Sequence, residues 1–508
     1  MARENRRPRR TGGGPPQLPW RSIVNPYPPL EVLGAEQLEA IHEASLEILE
    51  EIGIEFLAAP ALELLGRAGA EVDGAGLVRF DRGLVRELVA RSPSSATLTP
   101  RNPARRITVG GDHVNFTLVA GPPNVHDSLR GRRAGNFGDY CDLLRLAQSL
   151  EIIHCVGNQP IAPIELPAES RHLDCYLANV TWTDRVYHCT AIGAERALDG
   201  IDIAAIARGV TREGLVDSPA VLSVISANSP RRFDAAMCDG LIAMARWGQP
   251  VVVTPFTLMG AMTPVTLAAA LAQQNAEALA GIALVQAVRP GAPVVYGAFT
   301  SNVDMRSGAP AFGTPENAKA TLAAGQLARR YGLPYRASNA SASNVVDAQA
   351  AYESQMTLWS AVMGHANLVY HGAGWMEGGL TASFEKVVLD AEMLQMIAEV
   401  LVPPRVDEET LGLEAIREVG PGGHFFGAAH TLARYETAFY RPLISDWRNF
   451  ESWREAGSPD ATKRATALWQ ALLEAYEPPP LDPGTAEALE EFVRRRKAEI
   501  AGGIARSA

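Results

Sequence analysis

The chain has 508 residues, 47% hydrophobic and 20% charged, a composition that excludes a mostly disordered or fibrous protein. Lysine and arginine number 46 against 57 acidic residues, and the net charge of −11 argues against a broad nucleic-acid-binding surface. Five scattered cysteines without a CxxC pair (Cys141, Cys155, Cys175, Cys189 and Cys238) fit reduced thiols in a cytoplasmic protein better than a disulfide framework or a zinc site.

Residues 1–34 are rich in Pro, Gly and Arg and read as an extended arm, basic at its start through Arg3, Arg6, Arg7, Arg9 and Arg10. The arginines are followed by no apolar segment, so a twin-arginine export signal is not supported. Residues 35–110 read as an N-terminal helical extension, with Leu38, Ile41, Leu46, Leu49 and Ile52 in an amphipathic run.

Residues 111–402 have a different rhythm. Short β-branched apolar runs recur at 114–120, 152–159, 186–191, 220–228, 250–256, 293–301, 334–340 and 367–372. Between most of them lie Ala/Leu-rich helical patterns, at 232–247, 266–288, 314–331 and 347–363, with Pro315 opening one helix and Gly332 closing it. Strand then helix, repeated eight times, predicts an α/β fold of the (β/α)8 TIM-barrel type. A doubly wound open sheet competes, but its glycine-rich dinucleotide loop after the first strand is missing. Residues 403–508 read as a C-terminal helical extension broken at Pro403-Pro404 and Pro478-Pro479-Pro480. The uncharged stretch 247–276 is long enough to span a bilayer, yet Pro250, Pro255, Pro264 and the run Gln273-Gln274-Asn275 favour a strand, loop and helix inside a protein. No membrane partner is expected.

Barrel chemistry sits at the C-terminal ends of the strands. Here strand two ends at Asn158-Gln159, strand four at Ser226-Ala227-Asn228 and strand five at Phe256, while strand six runs through Phe299 to Asp304 and Arg306. Strand seven ends at Ser338-Asn339, and strand eight at Tyr370-His371, followed by Trp375. Period-two alternation places Asn367, Val369 and His371 on one face, read as the barrel interior with His371 at its top. A structural histidine satisfied by its neighbours is the alternative. Asp304 and Arg306 either meet substrate or brace the loop after strand six. Phe256, Phe299, Tyr370 and Trp375 are candidates for a cage around a quaternary ammonium group, against plain hydrophobic packing. The ten histidines form neither HxH nor HExxH, so no metal is expected, and no Walker A or GxSxG sequence occurs.

The segments GAFTSNVDMR (297–306), GTPE (313–316), DAQAAYE (347–353), YHGAGW (370–375) and GPGGH (420–424), with LPWR at 18–21 and NPY at 25–27, together resemble the trimethylamine:corrinoid methyltransferase superfamily. The resemblance runs over residues 18–480. With only the twenty standard residues, the chain is similar to the non-pyrrolysine, glycine betaine:corrinoid methyltransferase-like branch. That resemblance implies a barrel that moves a methyl group from a betaine-like quaternary amine to the Co(I) of a corrinoid (cobalamin). The corrinoid is expected on a partner corrinoid protein, because the DxHxxG cobalamin-ligand motif is absent from this chain. The amine leaves neutral and needs no general acid, which suits a dry, aromatic pocket better than an anionic one. A carboxylate tail on the substrate would be held by Arg306, His371 or Asn339, and His371 either positions substrate or contacts the corrinoid. Demethylation of a sulfonium or another methylated amine, a non-catalytic betaine-binding barrel, and a metal-dependent barrel hydrolase are the rivals. A homo-oligomer is compatible with the sequence.

Overall fold

The computed structural model describes residues 17–157 and 159–504; the basic stretch 1–10 and Asn158 at the end of the second predicted strand lie outside the described residues. Eight parallel strands pair in chain order: β1 (His113–Leu118), β2 (Cys155–Val156), β3 (Val186–His188), β4 (Val221–Ile225), β5 (Val251–Val253), β6 (Val294–Gly297), β7 (Tyr335–Ser338) and β8 (Leu368–Ala373). Strand β8 returns to pair with β1 and closes the barrel. A helix follows each strand: α1 (Phe137–Ser149), α2 (Arg171–Trp182), α3 (Ala194–Arg208), α4 (Ala235–Arg246), α5 (Leu267–Val288), α6 (Pro315–Arg330), α7 (Ala348–Met363) and α8 (Phe384–Val400). This is the (β/α)8 fold expected from the sequence, and each of the eight apolar runs holds one barrel strand.

Local chemistry sets the helix starts. Asp234, Thr314, Asp347 and Ser383 each accept first-turn backbone N–H groups with their side chains, and Pro315 follows Thr314 at the first helical position. The strands are apolar on both faces because both are buried. Outward residues such as Phe116, Val253 and Val369 pack under the helices. Inward residues Cys155, Val186, Leu222, Val252, Val295, Leu368 and Tyr370 form a separate interior cluster with Leu98, Ile107 and Val109. Those last three come from an antiparallel hairpin, Ser95–Leu98 with Ile107–Gly110, which plugs the N-terminal end of the barrel. Chemistry is left to the C-terminal end.

Two small sheets wall that end. Beyond β5 and β6 the chain continues as Phe256–Met259 and Phe299–Val303, paired in parallel, with Pro310–Ala311 antiparallel on the outer edge. Beyond β8, Trp375–Met376 and Thr381–Ser383 pair with Asn124–Asp127 and Gly131–Ala134 from the loop after β1.

The N-terminal segment, expected as a helical extension, is mixed. Helices Ala35–Glu47, Ala59–Ala68 and Arg82–Ala90 are present, but Ile54–Phe56, Glu71–Val72, Leu77–Arg79 and the plug hairpin are strands. Strands of two to four residues are too short to print a period-two pattern. Helix Ala35–Glu47 packs on α5, Ala461–Glu474 on α8 and α1, and Pro483–Ala501 on α2 and α3. Between α8 and Ala461–Glu474 the chain forms short helices that leave Phe425, Phe426, Phe439 and Trp447 exposed. The uncharged stretch 247–276 becomes β5, the strand Phe256–Met259, a turn and the start of α5; no described helix is long and apolar enough to cross a membrane.

Candidate active site

A group of aromatic rings closes the C-terminal end of the barrel. Phe256 and Phe299 are register partners in the β5 and β6 extensions, with ring centroids 5.2 Å apart. Phe312, just past Pro310–Ala311, stacks on Phe299 at 5.3 Å. Trp375 meets Phe299 edge-on at 5.9 Å and lies 4.0 Å from the His371 ring. Phe312, His371 and Trp375 are buried, whereas Phe256 and Phe299 are the half-buried members that solvent reaches.

Beneath the rings lies Arg336, on β7, pointing into the barrel. It is 2% exposed. Its guanidinium sits 4.9 Å from the Tyr370 ring centre and 5.3 Å from that of Phe299. Nη1 reaches the Ala298 carbonyl at 3.4 Å, Nη2 stands 3.5 Å from His371 Nε2, and Nε has no partner. Burial pushes this guanidinium down to about 10, opposed by Tyr370 and Tyr335 and, among the described residues, by no carboxylate.

His371 reaches the same place through an irregular backbone. Leu368 and Tyr370 face the barrel interior and Val369 faces the helices, so regular alternation would turn His371 outward. The expectation that Asn367, Val369 and His371 share the inner face is therefore corrected. His371 has φ +54°, and the β8–β1 register slips between Val369 and Ala373. This left-handed bulge, which costs about 1–3 kcal/mol for a side chain of this kind, brings the ring inward beside Tyr370. The Ala120 N–H donates to Nδ1 at 3.2 Å. Burial, then the Arg336 charge, holds the ring well below its usual range, so it is neutral with its proton on Nε2.

Below His371, His188 on β3 meets the Tyr370 ring edge-on at 5.8 Å. Its Nε2 accepts the Val224 N–H at 3.0 Å, and burial pushes its pKa down to about 3. The other nitrogen, Nδ1, is buried without a partner, as are Tyr370 OH, Ser338 Oγ, Thr254 Oγ1 and Trp375 Nε1. Native interiors rarely leave this many polar atoms unpaired, and a concentration of them marks a place for water or ligand.

The segment after β8 is fixed by close approach. Asp390 on α8 accepts the Gly374 N–H at 2.8 Å and also pairs with buried Lys386. A Cβ on Gly374 (φ +105°) would stand 2.7 Å from Val387, and one on Gly379 (φ +99°) 2.5 Å from the Trp375 indole. Glycine at these two positions leaves room for the Val387 side chain and the Trp375 indole.

Of the residues singled out from sequence, Phe256, Phe299, His371 and Trp375 come together, and Tyr370 lies one layer deeper beside Arg336. Asn339 does not join them; its Nδ2 donates to the Gly372 carbonyl at 3.0 Å and its Oδ1 accepts from Thr357 at 3.1 Å, so it braces β8. Asp304 and Arg306 sit on the exposed turn after Phe299–Val303, where Asp304 accepts the backbone N–H groups of Arg306 and Ser307, both at 3.2 Å. Sequence reasoning passed over Phe312, His188 and Arg336. Arg336 carried a signal: it is the single Asp, Glu, Lys or Arg within the eight barrel strands. Among the described residues, Glu39, His42 and Glu43 have metal-ligand spacing, but they lie on an outer helix, with Glu39 on Arg330 and Glu43 on Arg82 and Arg86.

The family model for trimethylamine methyltransferase (MTTB) matches residues 1–501. A glycine betaine methyltransferase of Desulfitobacterium hafniense strain Y51 is 36% identical over 474 residues, covering 93% of this chain and 98% of that one. A trimethylamine methyltransferase MttB of Desulfitobacterium hafniense strain DSM 10664 / DCB-2 is 31% identical over 477 residues, covering 93% and 95%. Among solved structures, the monomethylamine methyltransferase of Methanosarcina barkeri aligns over 89% of this chain and 90% of its own, at 10% identity and a TM-score of 0.49. The chain belongs to the trimethylamine methyltransferase family.

Proposed function

We propose that this enzyme demethylates a betaine-like quaternary amine, passing the methyl group to a corrinoid carried by a partner protein. The carrying observation is the ring group itself: Phe256, Phe299, Phe312 and Trp375 converge at the C-terminal end of a barrel plugged at its other end. Aromatic faces attract a quaternary ammonium group by about 0.5–2 kcal/mol per favourable contact while leaving it free of a tight counter-ion. That balance suits the chemistry, because the positive charge on nitrogen disappears as the methyl group departs. A carboxylate against the nitrogen would stabilise the substrate more than the transition state. The amine leaves neutral, so no side chain has to deliver a proton, and a neutral His371 is compatible with that.

The Co(I) of a corrinoid supplies the nucleophile for methyl transfer. The residues present fit delivery from outside: the interior below the rings is occupied by Arg336, Tyr370 and the plug, and the rim carries the exposed Met305. The rings exclude water and hold an N-methyl group toward the rim, converting the transfer into an in-line step. Five buried thiols without a disulfide support a reducing compartment, the cytoplasm. The test is methyl transfer from glycine betaine to added cob(I)alamin, followed by absorbance and by dimethylglycine formation. Turnover is expected; no turnover and no binding across glycine betaine, carnitine, proline betaine, choline and a sulfonium analogue sinks the reading.

A further inference from the structure

We propose that Arg336 and His371 form a carboxylate-binding subsite beneath the ring group, so that the enzyme selects zwitterionic quaternary amines over plain cations; this rests on the quaternary-amine reading above. Arg336 is a guanidinium held inside a barrel with no anion. Among the described residues no carboxylate pairs with it; its polar contacts are one carbonyl at 3.4 Å and one imidazole nitrogen at 3.5 Å, and its Nε has none. A buried cation without a counter-charge is strongly unfavourable, and apolar packing of the same shape would be more stable. Its retention at the functional end of the barrel points to a counter-charge that arrives from outside.

The tautomer of His371 sharpens this. Nδ1 accepts the Ala120 N–H, so the proton of the neutral ring is on Nε2. The 3.5 Å approach between His371 Nε2 and Arg336 Nη2 therefore sets two donors side by side, with no acceptor between them. His188 repeats the pattern: Nε2 accepts from Val224, which leaves Nδ1–H as an orphan donor beside Tyr370. Donors converging in a dry interior are complementary to a carboxylate, which accepts at both oxygens and neutralises the guanidinium.

The positions match a molecule with both charges. Phe299 belongs to the ring group and also flanks Arg336 at 5.3 Å, while His371 touches Trp375 at 4.0 Å. An ammonium on the rings and a carboxylate on Arg336 and His371 would be the two charges of one betaine, with Phe299 bordering both groups. Choline offers Arg336 only a neutral hydroxyl, and trimethylamine offers no carboxylate. The carboxylate keeps its charge throughout methyl transfer, so this subsite binds substrate and transition state alike and acts on KM more than on kcat.

The experiment compares the full-length protein with Arg336→Met and Arg336→Lys. Thermal unfolding is recorded alone, with glycine betaine, and with sodium acetate against a matched concentration of sodium chloride; methyl transfer is measured from glycine betaine and from choline. Arg336→Met is expected to unfold at the same or a higher temperature without ligand, to lose the acetate-induced rise, and to lower the betaine-to-choline ratio of kcat/KM about 100-fold, chiefly through KM. Arg336→Lys keeps the charge but not the fork and should lower the ratio about tenfold, which decides the matter if Arg336→Met is not recovered folded. A ratio within threefold of wild type in either variant, or a marked fall in unfolding temperature for ligand-free Arg336→Met, overturns the subsite and leaves amine demethylation standing. An acetate response present in wild type and lost in Arg336→Met, with no methyl transfer from any amine, keeps the subsite and overturns the amine reading.

Discussion

The two ends of the barrel bury the same kinds of side chain with different degrees of satisfaction. At the N-terminal end Arg185 lies 5.3 Å from the Trp20 ring, and at the C-terminal end Arg336 lies 5.3 Å from Phe299. Arg185 donates to the Leu150 and Gln148 carbonyls at 2.9 Å and to that of Ile153, with the charges of Glu151 and Asp184 close by, and leaves only Nε without a partner. The histidines repeat the contrast. His154 Nδ1 accepts the Phe116 N–H at 3.1 Å and its Nε2 meets the Arg21 carbonyl at 3.2 Å, so both nitrogens are used. His371 also accepts a backbone N–H at Nδ1, but its Nε2 faces another donor. Burial alone therefore does not mark a functional cation or histidine; Arg336 differs from Arg185 in having no carboxylate charge to offset it among the described residues, and His371 differs from His154 in facing a donor.

The largest effect expected from this contrast is on stability. Arg185→Met strands three buried carbonyls and should cost about 3 kcal/mol, read as a lowered midpoint in thermal or denaturant unfolding. Arg336→Met, with so little to strand, should cost nothing measurable. Equal losses in the two variants would dissolve the comparison.

The histidines predict a pH dependence shared by both ends. Burial, as the leading cause, pushes His154 and His188 each down to about 3. In the unfolded chain these rings titrate near the usual value of about 6.5. Between those values the unfolded state binds more protons, so stability is full above about pH 6.5 and falls as the pH drops toward 3. At pH 5 the loss is about 2 kcal/mol per ring. Unfolding midpoints from pH 8 to pH 5 check this, and His154→Gln, which can keep both hydrogen bonds, should flatten the slope.

How much of this was legible beforehand differs along the chain. All eight barrel strands show as β-branched runs because they are buried on both faces, and α6 and α7 start where Thr314-Pro315 and Asp347 say they should. Phe256, Phe299, His371 and Trp375 were visible because strand ends are where barrel enzymes keep their chemistry. Arg336 is not legible that way, because it lies inside a strand, one register step below the strand ends. His371 was placed inward by a regular alternation that the chain does not follow, since the left-handed bulge at φ +54° is what turns the ring. Nothing in a residue's type announces such a bulge.

Within the C-terminal end, the rings and the donors beneath them should separate by substrate. Trp375→Leu removes one aromatic face and should raise KM about tenfold for glycine betaine and choline alike, on the scale of a single cation–π contact. A loss confined to betaine would mean that Trp375 serves the carboxylate through His371, and steady-state kinetics with both substrates distinguishes the two.

The smallest effect belongs to the other arginine. Arg306 is the cation that sequence offered for a substrate carboxylate, in the loop after the sixth strand, and its side chain is exposed to solvent. An ion pair in water is worth about 0–1 kcal/mol because both partners stay hydrated, whereas the dry setting of Arg336 makes the same pairing far stronger. Arg306→Gln should therefore change kcat/KM for glycine betaine by less than about threefold. Its salt dependence should be weak as well, since a screened surface charge adds little to the capture of a net-neutral zwitterion. If Arg306→Gln instead costs a hundredfold while Arg336→Met is benign, the carboxylate is held at the rim by a loop that closes on it, and the buried guanidinium has some other counter-charge.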